Sequence, residues 1–329
     1  MQTRRRFLGS FALAAGALAR RAVEAAPEAY PSRPIRMIVP FPAGGPTDAI
    51  GRVFAERMRD TLGQPIIVEN VPGAAGSLGT ERVALAVSDG YTIGLGNAVT
   101  HVLNGAIFPL KYDVVDAFAP ISLLVNEPAV IVVRRGLPAN DLRELVSWLK
   151  ANPDKGLAGT AGVGTQSDAF AVFFEKRTGT ALRHIPYRGL GPAIQALIAE
   201  QVDLVMSLPA VTLPQVSAGT IKALAVTSKA RLAGAPDIPT VDEAGLAGFY
   251  QSNWHALFAP KGTPDTVIAK LNAAVAGALV SPDMRKKLVD LGQDLFPAEQ
   301  SSPAALADFQ RAEIQERWPI IKAAGIKIE

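Results

Sequence analysis

The sequence predicts an α/β protein of two lobes facing a cleft, on three observations. From Ile35 onward, short apolar runs alternate with segments whose apolar residues recur at helical spacing. Several of those runs end in turns of Gly, Ala, Ser and Pro, and the C-terminal ends of strands are where open α/β sheets bind ligands. The 329 residues are 49% hydrophobic, enough for two cores, yet no polar linker or charge run separates the two series of strands.

The chain opens on a segment outside that pattern. Met1–Ala26 has a basic start, a weakly apolar stretch from Phe7 to Ala19 and small residues at Ala25 and Ala26, the three parts of an export signal. Thr3-Arg4-Arg5-Arg6-Phe7-Leu8 matches the twin-arginine export motif, so a cleaved signal and a periplasmic location are expected. This segment also accounts for the basic net charge of +3, because it holds five Arg and one Glu. The remainder carries 28 basic and 29 acidic residues, with no basic run interleaved with aromatics, which argues against nucleic acid as a partner.

In the mature chain, Ile35–Phe41 reads as a buried strand. The turn Pro42-Ala43-Gly44-Gly45-Pro46 leads to a helix with Ile50, Val53, Phe54, Met58 and Leu62 on one face, and Thr47 or Asp48 as its N-cap. Ile66–Val68 and Tyr91–Gly96 are further strands, the first followed by Pro72-Gly73-Ala74-Ala75-Gly76-Ser77 and the second by Asn97. A second series runs through Ala129–Val133, Leu157–Thr160, Leu182–Pro186, Val202–Met206 and Ile221–Val226, with a helix marked by Phe170, Phe173 and Phe174. Trp254–Ala259 is a late strand, followed by helices over 264–280, 282–291 and 303–324. The pattern places lobe 1 at 27–126 plus 252–329 and lobe 2 at 127–251, with crossings near Val125–Pro128 and Tyr250–Asn253.

The chemistry-bearing residues narrow the function. There is no Cys, which removes thiolate zinc sites, iron–sulfur clusters, disulfides and a Cys nucleophile. Three His (His101, His184, His255) leave little for a metal cluster, and no metal or cofactor is expected. Three G-x-G stretches lack the third Gly of a dinucleotide fingerprint, and no P-loop pattern occurs. Ser77, Ser167 and Ser207 read as turn residues without a His near them in sequence, so no hydrolase arrangement stands out. A smaller anion suits the glycine turns better, because successive backbone N–H groups at a helix N-terminus can face a carboxylate. Asp48 would compete for those amides.

The turns together resemble one family. Phe41-Pro42-Ala43-Gly44-Gly45-Pro46-Thr47-Asp48, Asn70-Val71-Pro72-Gly73-Ala74-Ala75-Gly76-Ser77, Asp89-Gly90-Tyr91-Thr92 and His184-Ile185-Pro186-Tyr187-Arg188-Gly189 resemble the tripartite tricarboxylate transporter solute receptors, also called Bug-type receptors. Asp237-Ile238-Pro239-Thr240 and Ala259-Pro260-Lys261-Gly262-Thr263-Pro264 extend the likeness in the same order over nearly the whole mature chain. The resemblance implies a class II periplasmic binding protein of two α/β sandwich lobes. It also implies that the protein is not an enzyme, and that it captures a small organic carboxylate for a membrane permease, as a monomer.

Carried onto this chain, the ligand-binding set is Phe41, Gly44, Gly45, Thr47, Asp48, Gly76, Ser77 and Asn97 in the first lobe. In the second it is Gly164, Thr165, Gln166, Asp168, Tyr187, Arg188, Gly189 and Ser207. The chain departs from the family pattern at Asp168, where His is common, at Ser207, where an acid is frequent, and at Ser77, where Asn is frequent. The residues themselves suggest one ligand carboxylate between the Gly44-Gly45 turn and the Thr165 hydroxyl, with Arg188 neutralised by Asp168. The competing readings are a carboxylate sensor signalling to a membrane partner and a periplasmic enzyme on the same scaffold.

Overall fold

The computed structural model describes residues 30–153 and 155–325, so the expected export signal lies outside the described residues. The first sheet is built from β1 (Ile35–Val39), β2 (Ile66–Asn70), β3 (Thr92–Asn97), β4 (Phe118–Pro128), β10 (Ser252–Pro260) and β11 (Asp294–Leu295), in the order β11-β4-β10-β3-β1-β2. The second is built from β5 (Val130–Arg134), β6 (Leu157–Thr160), β7 (Arg183–Pro186), β8 (Leu204–Ser207) and β9 (Ile221–Val226), in the order β7-β6-β8-β5-β9.

The two sheets share one plan. In each, three parallel strands occur in the order second, first, third (β2-β1-β3 and β7-β6-β8), and the sheet continues through antiparallel pairings, β10 and β4 in the first with the short β11 at its edge, β5 and β9 in the second. The strand–turn–helix units predicted from the sequence therefore occur twice on equivalent scaffolds. α1 (Pro46–Leu62) follows β1 as α5 (Gln166–Thr178) follows β6.

α1 forms because Ile50, Phe54, Met58 and Leu62 recur on one face and are all buried against the first sheet. Val53, placed on that face by the sequence, sits at its half-buried margin. Each fully buried apolar side chain of this kind contributes about 1.5–3 kcal/mol. The helix starts earlier than expected: Gly45, not Thr47 or Asp48, is the N-cap, and Pro46 occupies the first helical position. Proline fits there because its missing N–H would have no intrahelical acceptor. Gly63 ends the helix in the left-handed region (φ 70°) and returns its N–H to Arg59.

The sheets are joined directly in one direction and through the 25-residue segment 227–251 in the other. Pro128 ends β4, Ala129 crosses, and Val130 opens β5; the return passes through Gln251 into β10. The crossings are bonded to one another, since the Ala129 N–H donates to the Gln251 carbonyl (3.0 Å) and the Thr227 N–H to the Ala129 carbonyl (2.9 Å). One buried cluster runs from Ile38 and Trp254 on one side to Phe170 and Leu204 on the other. α10 (Pro303–Ala323) ties the same region from outside: Arg317, 4% exposed, donates to Gln251 Oε1 (2.8 Å) and lies over the Phe173 ring of α5 (5.1 Å).

Candidate ligand site

Both β1 and β6 release the chain at their C-terminal ends into glycine turns that run into a helix. In the first turn Gly44 has φ 79°, a conformation that only glycine adopts without cost, and a Cβ there would meet nothing within 4 Å. Gly45 has an ordinary φ of −81°; its built Cβ would press the Pro42 carbonyl at 3.3 Å. Gly44 is thus the position that backbone geometry demands, and Gly45 is constrained only by that contact.

Asp48 organises this turn. Its Oδ2 accepts from the Gly44 N–H (2.9 Å) and from Arg52 Nε (2.9 Å), and its Oδ1 accepts from Asn70 Nδ2 (2.9 Å). Asn70 also donates to the Phe41 carbonyl (3.0 Å), so the turn after β1 is pinned to the end of β2. Burial alone would push the Asp48 carboxyl up, but the bonds from Arg52, the Gly44 amide and Asn70 together pull it down to about 2. The Gly45 N–H points to the Pro42 carbonyl (3.4 Å). Both amides that the sequence reading offered to a ligand are therefore engaged inside the turn. The first backbone bond of α1 is Ala49 N–H to Gly45, which leaves the Thr47 and Asp48 amides as the open donors of the helix end.

The floor of this lobe is polar and buried. Thr47 Oγ1 and His255 Nε2 are 3.2 Å apart, and His255 pairs with Asn97 across β10 and β3. Asn97 Oδ1 accepts from the Thr100 N–H (3.0 Å); the Thr100 methyl and the Phe41 ring close over Gly76, where a Cβ would meet them at 2.7 and 3.2 Å. Ser77, the first residue of α2 (Ser77–Ala84), accepts from Asn104 Nδ2 (3.0 Å). His101, 2% exposed, stacks on Phe258 at 3.8 Å. Burial holds both His101 and His255 down at about 3, so both are neutral. All eight first-lobe residues chosen from the sequence belong to this assembly, and Asn70, Thr100, Asn104 and His255 complete it. Asn70 was visible inside a quoted motif; the others carry no local signal.

The second lobe repeats the arrangement. Asp168 Oδ2 accepts from the Gly164 N–H (2.9 Å), at the same four-residue spacing and the same place before the helix as Asp48 and Gly44. Thr165 is the N-cap of α5 by backbone geometry, but its hydroxyl donates to the Gly162 carbonyl (2.6 Å) rather than into the cleft. Ser167 Oγ accepts from the Ala161 N–H (2.8 Å). The Tyr187 N–H donates to Thr160 (2.9 Å) and the Gly189 N–H to Ala161 (3.2 Å), which sets the turn after β7 beside the turn after β6. The first backbone bond of α5 is Ala169 N–H to Thr165, so the Gln166, Ser167 and Asp168 amides are open.

Two expectations change here. Asp168 does not neutralise Arg188; it pairs with His184, whose Nδ1 lies 2.6 Å from Asp168 Oδ1, and Arg188 is exposed. Ser207 is not a turn residue: it ends β8 opposite Val130, 1% exposed, with no partner for its hydroxyl. Gln166 Nε2 is likewise buried and unpartnered. Neutral donors without acceptors are what a bound anion would satisfy.

Known proteins resemble this chain over most of its length. The profile of the tripartite tricarboxylate transporter family receptor matches residues 50–326. The chain is 36% identical to BugT of Bordetella pertussis, over 92% of this chain and 92% of that protein. Among solved structures, the periplasmic binding protein BugD is 38% identical (TM-score 0.76, 91% of this chain and 100% of that one). MatC of Rhodopseudomonas palustris, solved with malate, is also 38% identical (TM-score 0.76, 89% and 100%). A second R. palustris protein, solved with adipate, is 29% identical (TM-score 0.78, 91% and 100%).

Proposed function

The chain belongs to the tripartite tricarboxylate transporter receptor family, and from that premise we propose that it captures a small organic carboxylate between its two sheets and delivers it to a membrane permease. Members of the family are periplasmic solute receptors rather than enzymes. The observation that carries the reading is the pair of matching turns: each ends on open helix amides, and the second adds the unpartnered Gln166 Nε2. Ser207 Oγ, at the end of β8, is a further donor of the same kind.

Neutral donors hold an anion without burying a full counter-charge, and each hydrogen bond to a charged group contributes about 1.5–3 kcal/mol. Malate in MatC and adipate in the second R. palustris protein support a dicarboxylate as the first class to test. The clamp is therefore the amides of Thr47 and Asp48 from one side and those of Gln166 and Ser167 from the other, with the Gln166 side chain and Ser207. This replaces the Gly44, Gly45 and Thr165 donors, which the turns use themselves.

A thermal-shift panel of malate, adipate, succinate, citrate, glutamate and benzoate tests the reading. A cognate acid at 100 times its Kd stabilises the folded state by about 2.7 kcal/mol, a shift of several degrees. Turnover of a bound acid, or no shift with any acid of the panel, would overturn it.

A further inference from the structure

Each lobe places an aspartate at the end of the helix that should face the ligand, and a carboxylate there repels an anion unless a cation compensates it. In the first lobe the compensating group is Arg52, one turn along α1, with Nε 2.9 Å from Asp48 Oδ2. In the second lobe the partner of Asp168 comes from a strand. His184 on β7 donates from Nδ1 to Asp168 Oδ1 (2.6 Å) and from Nε2 to Glu175 Oε2 (3.1 Å), while Glu175 Oε1 accepts the Leu182 N–H (2.6 Å). An imidazole can donate from both nitrogens only as the cation.

We infer that His184 is a positioning residue for carboxylate binding: its imidazolium, shared between Asp168 and Glu175, offsets negative charge beside the turn and so lets Asp168 hold the Gly162–Asp168 turn with less repulsion of the ligand, in the part that Arg52 plays for Asp48. The inference rests on the proposed reading of the cleft as a carboxylate site. A line of bonds runs from the Gly164 amide through Asp168, His184 and Glu175 to the Leu182 amide, so the ligand turn is fastened to the start of β7. The charged groups facing His184 are Asp168 and Glu175, both from α5, and its neighbour in β6 is the uncharged Ala158. The bonds from Asp168 and Glu175 outweigh burial and raise the imidazolium to about 9. The first lobe thus carries a permanent counter-charge and the second a titratable one.

The test uses the exported protein and whichever acid of the panel gives the largest thermal shift. His184→Gln removes the charge and keeps a donor; loss of compensation beside an anion should weaken binding about tenfold. Asp168→Asn/His184→Gln, which removes both charges, should restore affinity to within about threefold. Wild-type affinity should be flat from neutral pH and fall as pH rises through the His184 value, whereas the double variant should show no such fall. Native affinity and an unchanged pH profile in folded His184→Gln would overturn the inference while leaving the receptor reading intact. If no acid of the panel binds, the receptor reading itself fails. An NMR titration of His184 in ligand-free protein gives an independent check: an ordinary imidazole value there would overturn the compensation directly.

Discussion

At the scale of single residues, the two aspartates explain why small changes in these turns matter. Asp48 is 3% exposed and accepts three hydrogen bonds, two of them within the β1–α1 unit and one from the end of β2. Asp48→Ala should cost about 1–3 kcal/mol at pH 7, because it leaves the Gly44 N–H without its acceptor and the Asn70 amide with only the Phe41 carbonyl. The pH dependence follows from the depressed carboxyl. The folded state binds this proton less readily than the unfolded state, so the stabilisation is complete above pH 4 and is lost as pH falls toward 2. Urea titrations of both proteins across that range should show the difference present at pH 7 and vanishing near pH 2. The sequence showed that Asp48 would take an amide from the turn. It could not show His184 beside Asp168, since that contact needs β7 laid next to the N-terminal turns of α5, and 16 residues separate the two in the chain.

At the scale of elements, strands and helix faces were legible because burial leaves a period in the sequence, and the ends were less so. The Phe170, Phe173 and Phe174 face of α5 is buried as its spacing indicates, but α1 starts at Pro46 because backbone angles, not side-chain chemistry, decide the cap. Ser207 reads as a turn residue two positions before Pro209, yet the strand persists to Ser207 because Val130 pairs with it. The crossing strand β4 carries a group that sequence reasoning passed over altogether. Glu127, fully buried one residue before Pro128, pairs with Asn253 across the sheet and has no partner for either oxygen. Burial pushes its carboxyl up to about 8, against a smaller opposing pull from Gln293. Because the folded state keeps a proton that the unfolded state releases near pH 4.5, stability declines as pH rises from there and levels off above 8. Glu127→Gln should remove that decline: its Tm should match the wild type near pH 5 and exceed it by several degrees at pH 9. Parallel pH profiles for the two proteins would show that Glu127 finds a partner in solution.

At the scale of the whole molecule, two sheets of one plan are joined through Ala129 and Gln251, with β-strand beginning or ending next to each. Because a strand lies next to each crossing residue and the two crossings are bonded to one another, the motion permitted there is rotation of one sheet and its helices against the other. A saturating acid should therefore lower the radius of gyration in small-angle scattering without altering helix content in circular dichroism. Identical scattering curves with and without ligand would remove closure from the account.

The central claim is that one anion is held by neutral donors, and titration calorimetry with the acid of largest thermal shift tests it most directly. Gln166→Ala and Ser207→Ala each remove an unpartnered buried donor and leave the turn bonds of Gly44, Thr165 and Asp168 in place. The account predicts a single site in the wild type, with affinity about tenfold or more weaker in each folded variant, as expected for a lost hydrogen bond to a charged group. Wild-type affinity in both variants would contradict it.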